Sequence, residues 1–107
     1  MLLFHIDDAG RWPNLLANVR NAAAADPDQA LRVIANGQSP VSLWAHGHWR
    51  REIEERISAG LCVDFCENSL RNMGLDPAAR PAGSHLVLSG VIAIAQAQAA
   101  GAFYLKP

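Results

Sequence analysis

Two kinds of apolar run alternate along this chain. Leu2 to Ile6 is a short apolar stretch, broken only by His5, that stops at Asp7-Asp8-Ala9-Gly10 and reads as a buried strand. From Trp12 to Ala25 the spacing changes: Trp12, Leu15, Leu16 and Val19 fall on one helical stripe. Pro13 suits a first helical turn, because its missing N–H would be unpaired there anyway. Asp26-Pro27-Asp28 then breaks the chain, and Leu31 to Ala35 forms a second strand closed by Asn36-Gly37. Val41 to Ala45 reads as a short helix. Trp49 to Ala59 is a stronger one, with Trp49, Ile53 and Ile57 four residues apart and Gly60 placed as its stop. Leu61 to Phe65 is the third strand, Asn68 to Met73 a short helix before Gly74, and the Gly/Pro-rich "GLDPAARPAGS" a loop. Leu86 to Leu88 is a brief fourth strand. Val91 to Ala100 is a helix ending at Gly101, and Phe103 to Leu105 is the last strand.

Strand and helix in near-strict alternation predict an α/β fold, a three-layer sandwich with a five-stranded, mostly parallel sheet of flavodoxin-like kind and right-handed crossovers. The apolar strands are continuous rather than alternating, which fits a sheet covered on both faces. At 107 residues, with no repeat or linker, one domain spanning 1–107 is expected. Half the residues are hydrophobic and 18% charged, enough apolar material for a core and too much for a disordered chain. A domain this small buries a modest fraction of its surface, so self-association is expected. A net charge of −1 gives no electrostatic reason for a nucleic-acid partner or an acidic membrane. The one dense charged cluster, "HWRREIEER", alternates in sign and reads as a solvated helix face. No run reaches the ~20 apolar residues of a membrane span, and "MLLFHIDDAG" has no basic leader. The reading is a cytoplasmic protein, where thiols are normally reduced.

In parallel sheets, ligands bind beyond the carboxyl ends of the strands. Three groups collect there: His5, Asp7 and Asp8 after the first strand, Asn36-Gly37 after the second, and Cys66 after the third. With the first and third strands as neighbours, the acidic turn and the cysteine would share one cleft. Cys62 and Cys66 are the only cysteines. Four residues apart on a strand, their Cα atoms stand ~13 Å apart at ~3.3 Å per residue, whereas a disulfide needs roughly 4.4–6.8 Å. Cys62 is therefore read as a small buried apolar residue. Cys66 precedes a segment that can begin a helix, where free N–H groups and the helix dipole favour a thiolate. Glu67 and the aspartates act the other way. From the residues alone, Cys66 is either a reactive thiol or a packing residue.

Other chemistries find little support. His46 and His48 in "HGH", with His5 and His85, could supply imidazoles, but structural zinc sites usually show two closely spaced ligand pairs and no second cysteine pair exists. No metal site is expected. "NGQSP" is not a phosphate loop, no Gly-x-Gly-x-x-Gly follows the first strand, and Ser69 and Ser89 lack a Gly-x-Ser-x-Gly context. No cofactor is expected either, and only general architecture keeps a flavin- or nucleotide-binding domain in view. The small residues of "AQAQAA", from Ala95 to Ala100, read as a helix suited to close packing, as against another subunit.

Read together, "FHIDD", "WPNLLANVRN", "VIANG", "CVDFCENSLRNMGLDP" and "SGVIAIAQAQAAGAFYLKP" resemble, in order and nearly end to end, the small bacterial members of the DsrE/DsrF-like family. The most specific parts are Cys66-Glu67-Asn68-Ser69-Leu70 and the terminal Tyr104-Leu105-Lys106-Pro107. The resemblance implies a DsrE-like fold and a homo-oligomer, a dimer, trimer or hexamer. It implies a sulfur-relay role in which a cysteine persulfide passes between a protein sulfur donor and an acceptor, and the cysteine on the family's motif position is Cys66. His5, Asp7, Asn36, Gly37, Glu67, Asn68 and Ser69 would line or support that site. Where relatives often carry a Gly-Pro-Gly-like turn after the second strand, this chain has Gly37-Gln38-Ser39-Pro40. The competing expectation is an oligomeric binding or scaffold module of the same fold, without chemistry of its own.

Overall fold

Five strands and four α-helices alternate along the computed structural model, which describes all 107 residues. They are β1 (Leu2–Ile6), α1 (Trp12–Ala25), β2 (Leu31–Ala35), α2 (His48–Ser58), β3 (Cys62–Cys66), α3 (Glu67–Met73), β4 (His85–Val87), α4 (Gly90–Ala99) and β5 (Phe103–Leu105). Short 3-10 turns occupy Ala9–Arg11, Ser39–Leu43 and Pro77–Ala79. The strand order is β4-β3-β2-β1-β5, and every pairing is parallel. The fold is α/β, with a five-stranded parallel sheet between two helical layers.

One expectation fails here. β1 and β3 are not neighbours, because β2 pairs with both of them. The cause is the direction of the crossovers. Each of α1, α2 and α3 carries the chain one place along the sheet in the same sense, which for right-handed units keeps them on one face. Only α4 turns back across the opposite face, delivering β5 to the far side of β1.

Packing follows from that arrangement. On the first face, Phe4, Ile6, Val33, Ala35, Val63 and Phe65 of the sheet meet Trp12, Leu15, Leu16, Val19, Leu43, Ile53 and Leu70 in the main core. Trp12, Leu15, Leu16 and Val19 are essentially inaccessible to solvent, and each large apolar side chain contributes about 1.5–3 kcal/mol on burial. That burial, rather than capping, holds α1, whose first turn has no side-chain cap. On the second face a smaller cluster joins Leu3 and Ile34 to Ala93 and Ala97 of α4. The alanines let the helix lie close over β1 and β2. A helix is about 10 Å wide and strands lie about 4.8 Å apart, so one helix covers about two strands of five. The sheet is therefore not covered evenly on both faces, as its apolar strands led one to expect. Cys62 and Asp64 alternate with Val63 and Phe65 of the main core, so they point to the other face of β3, and Asp64 is paired there with His85 of β4.

Local boundaries differ in informative ways. β3 begins and ends one residue later than the apolar run, so Cys66 is the last residue of the strand. The expected Val41–Ala45 helix is instead the 3-10 turn Ser39–Leu43, begun two residues early because Pro40 sets its first turn. β4 is His85–Val87.

Candidate functional site

The carboxyl ends of β3 and β4 form the place where consecutive connections leave the sheet on opposite faces. β3 runs into α3, whose Leu70 joins the main core, and β4 runs into α4, whose Ala93 and Ala97 join the other cluster. Such a switch point leaves a crevice at the strand ends. Cys66 sits in it, paired in register with Val87.

The Cys66 thiol is 5% exposed. Its Sγ accepts a hydrogen bond from the Gly90 N–H at 3.2 Å, at the start of α4. A Cβ on Gly90 would stand 3.1 Å from Asn36 Cβ and 3.3 Å from Cys66 Cβ, so a glycine is what lets α4 begin this close to the sulfur. Two influences pull on the thiol. Burial pushes its pKa up, while hydrogen bonds from the Ser69 hydroxyl and from the amides of Gly90, Ser69 and Asn68 stabilise the thiolate. The hydrogen bonds win, and the pKa lies below the ordinary thiol value.

Ser69 is the joint of the site. Its Oγ accepts the Gly37 N–H at 2.9 Å, tying the turn after β2 to α3 beside the sulfur. Gly37 holds φ +57°, and a Cβ there would come 2.9 Å from the Asp7 carbonyl oxygen. Both facts demand glycine. The turn is fixed further by Ser39, whose hydroxyl donates to the Ile6 and Asn36 carbonyls. This is what Gln38-Ser39-Pro40 builds in the place of a Gly-Pro-Gly-like turn.

His5, Asn36 and Asp7 reach the crevice only in part. Asn36 Oδ1 accepts from His5 Nε2 at 2.8 Å. With that acceptor, His5 Nδ1 accepts a hydrogen bond from the Tyr104 hydroxyl at 2.6 Å. A chain of hydrogen bonds thus runs from β5 through His5 to Asn36, which lies against Gly90. Asp7 turns instead to Lys106, 2.8 Å away. The Lys106 hydrogen bond holds its carboxyl below the usual range against the contrary effect of burial. The acidic turn therefore faces the C-terminal segment, and β2 stands between it and the cysteine. Glu67 lines a separate hollow with Arg71, Gly74, Leu75 and Pro77. Asn68 gives Cys66 its backbone N–H, while its side chain accepts from Arg71 at 3.1 Å.

Gly90 was not singled out from the sequence, and Tyr104 was noted only as part of the terminal motif, not as a site residue. A signal for Gly90 existed, since Ser89 before an apolar helix is an N-cap, and Ser89 Oγ does accept the Ile92 N–H. Nothing in the sequence announces which strand end the freed amide of Gly90 will meet. The other cysteine also departs from its reading. Cys62 is half-buried at the start of β3, not a core residue, and is unbonded to Cys66. Its Sγ lies 3.8 Å from Asp64 Oδ2. Burial and the Asp64 carboxylate push its pKa up, against the opposing pull of Arg32.

No family model and no curated protein matches the chain. Solved structures do. The chain is similar to MTH1491, a protein of unknown function from Methanobacterium thermoautotrophicum, with a TM-score of 0.91 and 30% sequence identity over 99% of this chain and 97% of that one. It is also similar to the YchN protein of E. coli, with a TM-score of 0.79 and 12% identity over 100% of this chain and 99% of that one, a likeness of fold.

Proposed function

This chain belongs to the same family as MTH1491, and on that premise we propose that it is a sulfur-relay protein that carries a persulfide on Cys66. The finer kinship with DsrE/DsrF-like proteins is part of the proposal and rests on the motif from Cys66 to Leu70. The observation that carries it is a thiol at the switch point whose sulfur already accepts the Gly90 N–H, with Ser69 and Asn68 lowering its pKa further. The Cys66 thiolate attacks the outer sulfur of a donor persulfide, the donor's S–S bond breaks, and the donor leaves as its thiolate. Cys66 then holds the sulfur as Cys–S–S⁻. An acceptor thiolate attacks that outer sulfur and releases Cys66 as thiolate. Each step is an exchange between sulfurs and needs no external oxidant or reductant. The proposal includes a homo-oligomer, a reading supported by the exposed apolar side chains Leu88, Val91 and Ile92 beside and on α4 and Phe103 on β5.

Cys66 is 5% exposed, so transfer requires a local opening at the sulfur, where the Gly90 N–H now bonds it. The same burial favours a second reading, in which Cys66 only pins α4 to β3 in a scaffold module. Incubation with a protein persulfide donor distinguishes the two. Addition of one sulfur to Cys66 in the intact mass, absent from Cys66→Ser and released by an acceptor thiol, is the expected outcome. A chain that stays unmodified while an established carrier is loaded in parallel overturns the sulfur-relay reading.

A further inference from the structure

We propose that Cys62, Asp64 and His85 form a site for a thiophilic divalent cation, zinc above all, on the face of β3 and β4 opposite the main core. The backbone puts the three donors together. Cys62 and Asp64 are two apart on β3 and point to the same face, and His85 is the register partner of Asp64 on β4. Their ligand atoms all lie within 4.8 Å of one another. Cys62 Sγ stands 3.8 Å from Asp64 Oδ2, and His85 Nδ1 stands 4.0 Å from Asp64 Oδ1. A tetrahedral zinc centre with bonds of about 2.0–2.3 Å sets its donors about 3.3–3.8 Å apart, so binding draws these three side chains together by up to about 1 Å.

The chemistry of the set selects the ion. One sulfur, one imidazole nitrogen and one carboxylate oxygen suit zinc and its borderline-soft neighbours, whereas magnesium and calcium prefer oxygen alone. Three protein donors leave the fourth position to water, on the side where the His85 side chain is 70% exposed. Arg32 already holds the carboxylate from behind, with Nε 2.6 Å from Asp64 Oδ2. That leaves Oδ1 directed at His85, in the manner of an outer-sphere partner that orients a ligand. The guanidinium charge does not forbid a cation: thiolate and carboxylate together outweigh it by one negative charge. As the metal–sulfur bond forms, the Cys62 proton passes to solvent. This site does not depend on Cys66, which lies at the other end of β3, ~13 Å away along the strand.

Cobalt(II), titrated into the full chain under reducing conditions and in a Cys66→Ser background, is the probe. One equivalent should give a thiolate-to-cobalt charge-transfer band and visible bands of tetrahedral intensity, both displaced by zinc. Cys62→Ser should abolish the charge-transfer band. His85→Ala, which alters an exposed side chain and leaves the core untouched, should weaken cobalt binding by at least about tenfold, the low end of what even an outer-sphere partner costs. Absence of the band, or a band that persists in Cys62→Ser, overturns the proposal. So does an affinity unchanged by His85→Ala, which would mark an adventitious ion only. Circular dichroism of each variant, superimposable on the parent, separates loss of a ligand from loss of the fold.

Discussion

Cys62 and Cys66 lie on the same face of the same strand, four residues apart, and meet opposite surroundings. At the amino end of β3, Cys62 faces a carboxylate and is half open to solvent, and its pKa is raised. At the carboxyl end, Cys66 is enclosed by amides and a hydroxyl, and its pKa is lowered although it is the more buried of the two. Burial pushes both thiols up, so what separates them is the sign of their hydrogen-bonding partners. A parallel strand has this polarity built in. Its carboxyl end feeds helix starts, which present N–H groups, and here two of them converge, from α3 and from α4.

Four measurements test that contrast, in descending size of effect. Arg32→Met strips the partner from Asp64, whose side chain is 7% exposed, and should lower stability in denaturant by about 3 kcal/mol. The damage should stay at the Cys62 end, leaving the pH dependence of Cys66 alkylation as it was, and a shift at Cys66 would show the two ends to be coupled. Gly37→Ala attacks the other end. Its positive φ and the 2.9 Å approach to Asp7 should cost about 2 kcal/mol and speed alkylation of Cys66 without altering that of Cys62. Ser69→Ala removes the acceptor of the Gly37 amide and a donor to Cys66. A loss of about 1 kcal/mol is expected, with an upward shift of the Cys66 pKa read by alkylation against pH. An unshifted profile would mean that the backbone amides suffice.

The smallest effect is in the pH dependence of stability, where the two cysteines should act in opposite senses. The Cys66 pKa is lower folded than unfolded, so its contribution is present above the unfolded value and is lost as pH falls through the folded one. The Cys62 pKa is raised by folding, so its contribution is present below the unfolded value and is lost as pH rises through the folded one. Denaturant melts from neutral to alkaline pH should therefore rise less steeply for Cys66→Ser than for the parent, and more steeply for Cys62→Ser. Equal slopes in the two variants would erase the distinction.

Much of this architecture is legible along the chain. Leu2–Ile6, Trp12–Ala25, Leu31–Ala35 and Phe103–Leu105 stand where their apolar spacing and stop signals put them. The candidate site is legible only in pieces. Cys66, Gly37 and Asn36 do gather near one crevice, as their strand-end positions imply, and Ser69 joins them from α3. Asp7 and Glu67 do not, because Lys106 draws the first away and the second lies on another side of α3. Gly90 was missed because its role is a contact across 24 residues, which no local pattern encodes.

The sequence by itself determined the alternation of strand and helix, the parallel sheet, and the separation of the two cysteines along an extended segment. These follow from side-chain periodicity and backbone rise, which act over a few residues. Only the tertiary structure decided that β2 stands between β1 and β3, that α4 covers one part of its face and bares another, and that His85 meets Asp64. Those outcomes depend on the direction in which each crossover carries the chain. That direction is set by how whole helices pack on a twisted sheet, and no single stretch of residues holds it.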